Sequence, residues 1–177
     1  MRSLIFLSFL FATSCVDAQT KLYDPAWFDD GSLETEEQWS LVEGHAVLFF
    51  AWAVREGLVR DEYPYVPVNR NTTLPDGRAA GAAIDEEYRR TLTAIRERRP
   101  DALSEAVWLV ENGMTTRNFS QEGAEFAASC FSVYRSEYPR HLGLLDGAGV
   151  RATWESYGEV APLLDSLFES YKAGGCA

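Results

Sequence analysis

Apolar residues recur at steps of three and four between residues 35 and 57, and this stretch organises the predicted fold. The inward stripe consists of Leu41, Val42, His45, Leu48, Phe49 and Trp52. From 46 to 54 the opposite face is apolar as well, which is typical of a helix covered on most sides. Thr35 with Gln38 fits a capping box at the start, and Gly57 fits a left-handed turn at the end. We therefore predict a central core helix over 35–57.

The rest of the chain predicts further helices separated by proline- and glycine-rich connections. The expected helices are 82–98, 101–112, 118 or 120 to 138, and 160–173. Pro139 is expected to end the fourth, and Pro162 to fit only the first turn of the fifth, with Trp154 and Tyr157 preceding it. An aromatic segment at 21–33 is expected to lie across the central helix. The pattern predicts a mostly α, single-domain bundle of about five helices, with a long irregular loop at 59–83.

Charge restricts the classes of partner. The chain has 16 Lys and Arg against 27 Asp and Glu, a formal charge of −11. Nucleic acid and anionic lipid both need a basic surface, so neither is an expected partner. One dense basic cluster stands out on the outer face of the second predicted helix: Arg89, Arg90, Arg96, Arg98 and Arg99. It is either a solvated, internally paired face or a docking site for an acidic partner.

The first residues resemble an export signal. Arg2 precedes a short apolar run at 4–12, which is too short to span a bilayer. Cleavage after residues 16–18 would remove 1–18 and start the mature chain at Gln19. Alternatively 12–15 acts as a lipobox, residues 1–14 are removed, and Cys15 carries the lipid. Both cleavages leave a single helical domain over 19–177. We expect it in the periplasm or cell envelope, or secreted, and in the second case as an outer-membrane lipoprotein. Neither leaves a transmembrane helix in the mature chain.

The remaining cysteines, Cys130 and Cys176, are free to pair after either cleavage. Two leftover thiols in an oxidising compartment usually form a disulfide, and this one would hold the C-terminal tail. The alternative is two unpaired thiols.

Catalytic and metal motifs are absent from the sequence, which predicts no cofactor, no metal site and no assigned catalytic residue. His45 lies on the inward stripe, where a histidine is usually a hydrogen-bonded core residue. We expect its hydrogen bond to come from the 23–30 segment. The alternative is a pocket in which His45 titrates near neutral pH beside a carboxylate. The candidate binding residues are Tyr23, Asp24, Trp27, His45 and Trp52.

Two blocks of residues resemble an uncharacterised bacterial family of small acidic helical domains. The first is Tyr23-Asp24-x-x-Trp27, followed by the stretch 45–52 (HAVLFFAW) and Gly57-Leu58. The second is the stretch 111–127, which contains Glu122-Gly123 and Phe126-Ala127. Family members begin with Tyr-Asp-x-x-x-Trp, so this chain has one residue fewer before its tryptophan. The export signal and the two late cysteines are further departures.

The resemblance implies an interaction protein, since some family members lie near secretion or toxin–immunity genes, and it supplies no catalytic residue. We therefore expect an exported, non-enzymatic protein with a protein partner, immunity-like or an envelope accessory factor. The alternative is a small-ligand-binding or hydrolytic protein that uses His45 with a nearby carboxylate.

Overall fold

The computed structural model describes residues 20–25, 34–64, 79–111, 113–145 and 149–176. The fold is mostly helical, as predicted. Its elements in chain order are β1 (Lys21–Tyr23), α1 (Glu36–Arg55), α2 (Ala80–Arg96), α3 (Ala102–Glu105), α4 (Val107–Glu111), β2 (Met114–Thr115), a 3-10 turn (Thr116–Asn118), α5 (Gln121–His141) and α6 (Trp154–Lys172). Of the described helices, none is long and apolar enough to cross a membrane.

Helix α1 is the central element, and both of its predicted ends are confirmed. The Thr35 side chain accepts from the backbone N–H of Gln38, and the Gln38 side chain accepts from the N–H of Thr35. At the other end Gly57 adopts φ +72°, and Leu58 is buried behind it. Every residue from 43 to 54 is buried. The helix therefore has little exposed surface beyond its first two turns and its last residue.

The other helices surround α1 on several sides. Helices α2, α4, α5 and α6 all contact it, and α5 also packs along α6. Phe49 lies at the centre, with its ring centroid 4.9 Å from that of Phe131 and 5.8 Å from that of Phe126. At Gly44 in α1 a Cβ atom would lie 1.6 Å from the carbonyl oxygen of Val150. Only glycine at this position therefore allows the backbone around Val150 to approach α1 so closely. The core is thus one cluster organised around a single helix.

The two prolines expected to mark helix ends lie inside helices, so those boundaries were wrong. Pro139 is in the last turn of α5, which continues to His141, and Pro162 is in the middle of α6. A proline removes one backbone hydrogen bond. In α6 that bond would have used the Gly158 carbonyl, and both residues are on the exposed side, where water can replace it. Trp154 and Tyr157 consequently belong to α6 rather than to a separate turn.

Two other predicted helices differ in their bounds. The second begins and ends two residues early, at Ala80 and Arg96, so the irregular segment predicted for 59–83 is helical from residue 80. The third is interrupted at Ala106, between α3 and α4. Val59 forms an isolated antiparallel bridge with Phe119, and residues 65–78 of the predicted loop lie outside the described residues.

A short sheet and a disulfide attach the two ends of the described chain. β1 pairs antiparallel with β2, a contact between residues about ninety positions apart that the local pattern does not predict. Cys130 in α5 is bonded to Cys176, with their Cα atoms 5.4 Å apart, as the cysteine count predicts. Closing a loop of 46 residues stabilises by about 4 kcal/mol in the chain-entropy model. The tail after α6 is therefore held against α5.

Candidate functional site

Four of the five candidate binding residues lie in the described part of the chain, and these four do not form one cluster. Tyr23 and His45 are in contact, whereas Trp52 lies almost two turns further along α1. Asp24 forms an ion pair with Lys21 at the end of β1. Trp27 lies outside the described residues, as does Cys15 of the lipobox alternative.

His45 is sealed within a group of aromatic rings. Its imidazole stacks on Tyr138, with centroids 5.3 Å apart and planes within 4°, and Tyr23 meets it edge-on at 5.4 Å. Phe131 lies at 6.2 Å, and the Tyr134 hydroxyl donates to the backbone carbonyl of His45 at 3.0 Å. Only 2% of the residue is exposed. Tyr23, in the described part of the aromatic N-terminal segment, therefore lies against this face of α1, as the sequence predicts.

Burial sets the protonation state of this histidine. Desolvation is the main reason that the pKa of His45 falls to about 4, with the nearby Arg135 acting in the same direction. A hydrogen bond to the backbone of Val42 opposes the shift. The imidazole is therefore neutral at physiological pH. The hydrogen bond expected from the 23–30 segment stays a prediction, because Asp29 and Asp30 lie outside the described residues.

Glu43 belongs to the same neighbourhood, and sequence reasoning missed it. Its side chain is buried, with 6% of the residue exposed. Burial, together with the negative charge of Glu111, raises the pKa of Glu43 to about 7. Glu43 also lies close enough to Tyr23 to help raise the pKa of that phenol, after the larger effect of burial. The available signal was its place between Val42 and His45 of the apolar stripe, although the sequence predicts coverage on most sides only from residue 46.

Trp52 connects two helices in the core. None of its surface is exposed, and its indole Nε1–H donates to a carboxylate oxygen of Asp165 on α6 at 2.8 Å. Its ring centroid lies 5.3 Å from that of Phe126 and 5.6 Å from that of Phe168. This arrangement places Trp52 in the packing between α1, α5 and α6 rather than at the surface.

Metal coordination has no candidate in the part of the chain that the structure describes. No group of three or more His, Cys, Asp or Glu side chains is arranged to hold an ion there. His141, the second histidine, lies at the end of α5, and its Nε2 is 2.9 Å from the backbone oxygen of Glu159. This contact joins α5 to α6, in agreement with a structural role.

Within the described residues, some arginines of the α2 cluster form an ion pair and others do not. Arg90 pairs with Glu87 at 2.5 Å, and Arg96 with Asp61 at 2.6 Å. Arg98, just beyond the helix, instead places its guanidinium carbon 5.2 Å from the ring centroid of Trp154. Among the described residues the cluster is thus only partly ion-paired.

Comparison with models of known protein families, with curated proteins and with solved structures finds no match to this chain. The assignment of a function therefore depends on the geometry of the chain itself.

Proposed function

We propose that the protein is an exported, non-enzymatic interaction protein that binds a protein partner, as an immunity-like or envelope accessory factor. The observation that carries the proposal is the burial of His45. Because this imidazole is 2% exposed and enclosed by Tyr23, Phe131 and Tyr138, it cannot contact a substrate in this conformation. This burial supports a function that is carried by the outer surface. The signal-like start supports export. The resemblance to a family of which some members lie near secretion or toxin–immunity genes supports a protein partner.

In a second candidate function, His45 and a nearby carboxylate take part in ligand binding or hydrolysis. Glu43 is the buried carboxyl nearest in sequence to His45, and its pKa of about 7 is the kind of value that suits an acid–base group. A small ligand or a hydrolysable substrate could use the pair only if the segment containing Tyr23 moved away. This candidate predicts that His45→Gln loses binding or turnover while its stability stays that of the wild type.

The experiment is capture from the native envelope followed by reconstitution. The mature chain is immobilised through a C-terminal tag, envelope extract is applied, and enriched proteins are quantified by mass spectrometry. The matched control is an unrelated helical domain of similar size and net charge. We expect one protein to be enriched over this control and to bind the purified chain with a fixed stoichiometry in calorimetry. No enrichment over the control would contradict the proposal.

A further inference from the structure

The C-terminal ends of α1 and α2 meet the N-terminal part of α6, and there arginines lie on aromatic rings. The guanidinium carbon of Arg98 is 5.2 Å from the ring centroid of Trp154 and 5.8 Å from that of Tyr157, and Arg55 approaches Tyr157 at 5.7 Å. The two rings are themselves in edge-to-face contact at 5.2 Å. Arg99 joins them, because its backbone carbonyl accepts from the indole N–H of Trp154 at 2.8 Å. We call these five residues the arginine–aromatic patch.

The three arginines of the patch are exposed and have no carboxylate partner among the described residues. Carboxylates are close by, since Glu56 and Asp165 act to raise the pKa of Tyr157, an effect secondary to burial. Neither carboxylate forms an ion pair with an arginine of the patch among the described residues, and one oxygen of Asp165 accepts a hydrogen bond from the Trp52 indole. The patch therefore keeps its guanidinium donors available on an otherwise acidic protein.

Arg98 occupies a backbone position that favours glycine. Helices α1, α2, α5 and α6 all end in the same pair of hydrogen bonds, in which the two residues after the cap bond back to the last turn. Three of these ends place a glycine in the left-handed position, namely Gly57, Gly143 and Gly174, whereas α2 places Arg98 there at φ +55°. A residue with a Cβ atom is strained in this region. The residue that adopts this strained conformation is therefore the one whose guanidinium lies over the rings of Trp154 and Tyr157.

Stacking on aromatic faces suits these groups for binding anions. A guanidinium held over a ring loses less conformational freedom when it binds a carboxylate, and its N–H edge can donate two parallel hydrogen bonds. Nucleic acid is a poor alternative, because the net charge of −11 repels an extended polyanion. A short acidic segment needs to approach only the patch itself.

We propose that the arginine–aromatic patch is the docking site for an acidic segment of the protein partner, a stretch of polypeptide with at least two neighbouring carboxylates. This inference rests on the proposed function and specifies the chemistry of the partner.

The decisive variant is Arg98→Gly, because glycine is the preferred residue at this backbone position and the variant is expected to fold. Its matched control is Arg89→Ala, which removes one positive charge from an exposed residue of α2 that has no ion pair among the described residues. The probe is a fluorescein-labelled oligoglutamate peptide, with the equivalent oligoglutamine peptide as its neutral control. Binding is followed by fluorescence anisotropy at low salt.

We expect the oligoglutamate peptide to bind the wild type, and the oligoglutamine peptide not to bind. Arg98→Gly should weaken binding about tenfold, the effect of one charge-assisted contact, and Arg89→Ala by less than about twofold. Raising the salt concentration to about 0.3 M should weaken wild-type binding strongly. Absence of oligoglutamate binding, or equal losses in the two variants, would overturn the docking site.

Binding of the captured partner to Arg98→Gly and to the wild type distinguishes failure of this inference from failure of the proposed function. If a partner is captured and binds Arg98→Gly as tightly as it binds the wild type, the patch is wrong and the proposed function survives. If no partner is enriched over the control, the proposed function fails whatever the peptide does.

Discussion

Replacing Glu43 by glutamine should reveal a pH dependence of stability that the wild-type protein conceals. Glu43 and His45 lie two residues apart on α1, and both are buried. Their pKa values are displaced in opposite senses, Glu43 upward from 4.5 to about 7 and His45 downward from 6.5 to about 4. Glutamine keeps the shape and hydrogen-bonding capacity of the carboxyl group but cannot titrate. The substitution therefore removes the Glu43 contribution to the pH dependence of stability and leaves that of His45.

The signs follow from linkage between proton binding and folding. The folded state holds the Glu43 proton more tightly than the unfolded chain does, so this group stabilises below pH 4.5, and its contribution is lost as the pH rises towards 7. The unfolded chain holds the His45 proton more tightly than the folded state does, so this group destabilises at low pH. That penalty disappears as the pH rises from 4 to 6.5. Each pKa displacement corresponds to about 3 kcal/mol of unfolding free energy. In the wild type, the two groups therefore change this free energy with pH in opposite directions, and their effects nearly cancel.

The assay is urea unfolding, followed by circular dichroism, at intervals from about pH 4 to pH 8. The free energy of unfolding of Glu43→Gln should rise by about 3 kcal/mol more than that of the wild type between pH 4 and pH 7. That of His45→Gln should fall by a similar amount relative to the wild type over the same range. If the Glu43→Gln profile runs parallel to the wild-type profile, the carboxyl does not titrate near neutral pH and the account of this cluster is refuted.

Three further predictions concern the core, the disulfide and the strained arginine. Trp52→Ala should lower the free energy of unfolding by about 3–5 kcal/mol, as for a large core aromatic, while Leu145→Ala, which removes a side chain that is 85% exposed, should leave the urea midpoint unchanged. Intact mass of the protein isolated from an oxidising compartment, with and without reductant and alkylation, should show Cys130 and Cys176 protected until reduction, whereas two freely alkylated thiols would disprove the bond. Arg98→Gly should change stability by less than about 1 kcal/mol, because relief of backbone strain offsets the lost cation–π contacts, and a larger loss would mean that these contacts dominate.

Local patterns in the sequence predicted the central helix well. The stripe around His45, the capping box at Thr35 and the turn at Gly57 are short-range features, and short-range geometry alone decides them. The disulfide was predicted from Cys130 and Cys176, the two cysteines that lie beyond the signal-like start. These features needed no knowledge of which elements pack together.

Features that depend on distant contacts were wrong or missed. Pro162 reads as a helix boundary, yet burial of Val160, Leu164 and Leu167 on α6 outweighs the loss of one solvent-side hydrogen bond. The pairing of β1 with β2 gives no local signal, because the strands are short and far apart in sequence.

The candidate site shows the same division between local and distant information. The sequence predicted that an aromatic segment would cover His45, and Tyr23 does so. It did not predict the burial of Glu43, which depends on tertiary packing. The contact of Arg98 with Trp154 joins the ends of two helices and was equally beyond local pattern, although the dense arginines of α2 marked the region.

The central claim is that His45 is a structural part of the core and that binding takes place on the outer surface. Its most direct test is the dissociation constant of the captured partner for wild type and His45→Gln, measured by calorimetry near pH 7, where both proteins are folded. The account predicts that the two dissociation constants agree within about twofold, while His45→Gln unfolds at a lower urea concentration. A His45→Gln protein that keeps wild-type stability but no longer binds the partner would contradict it.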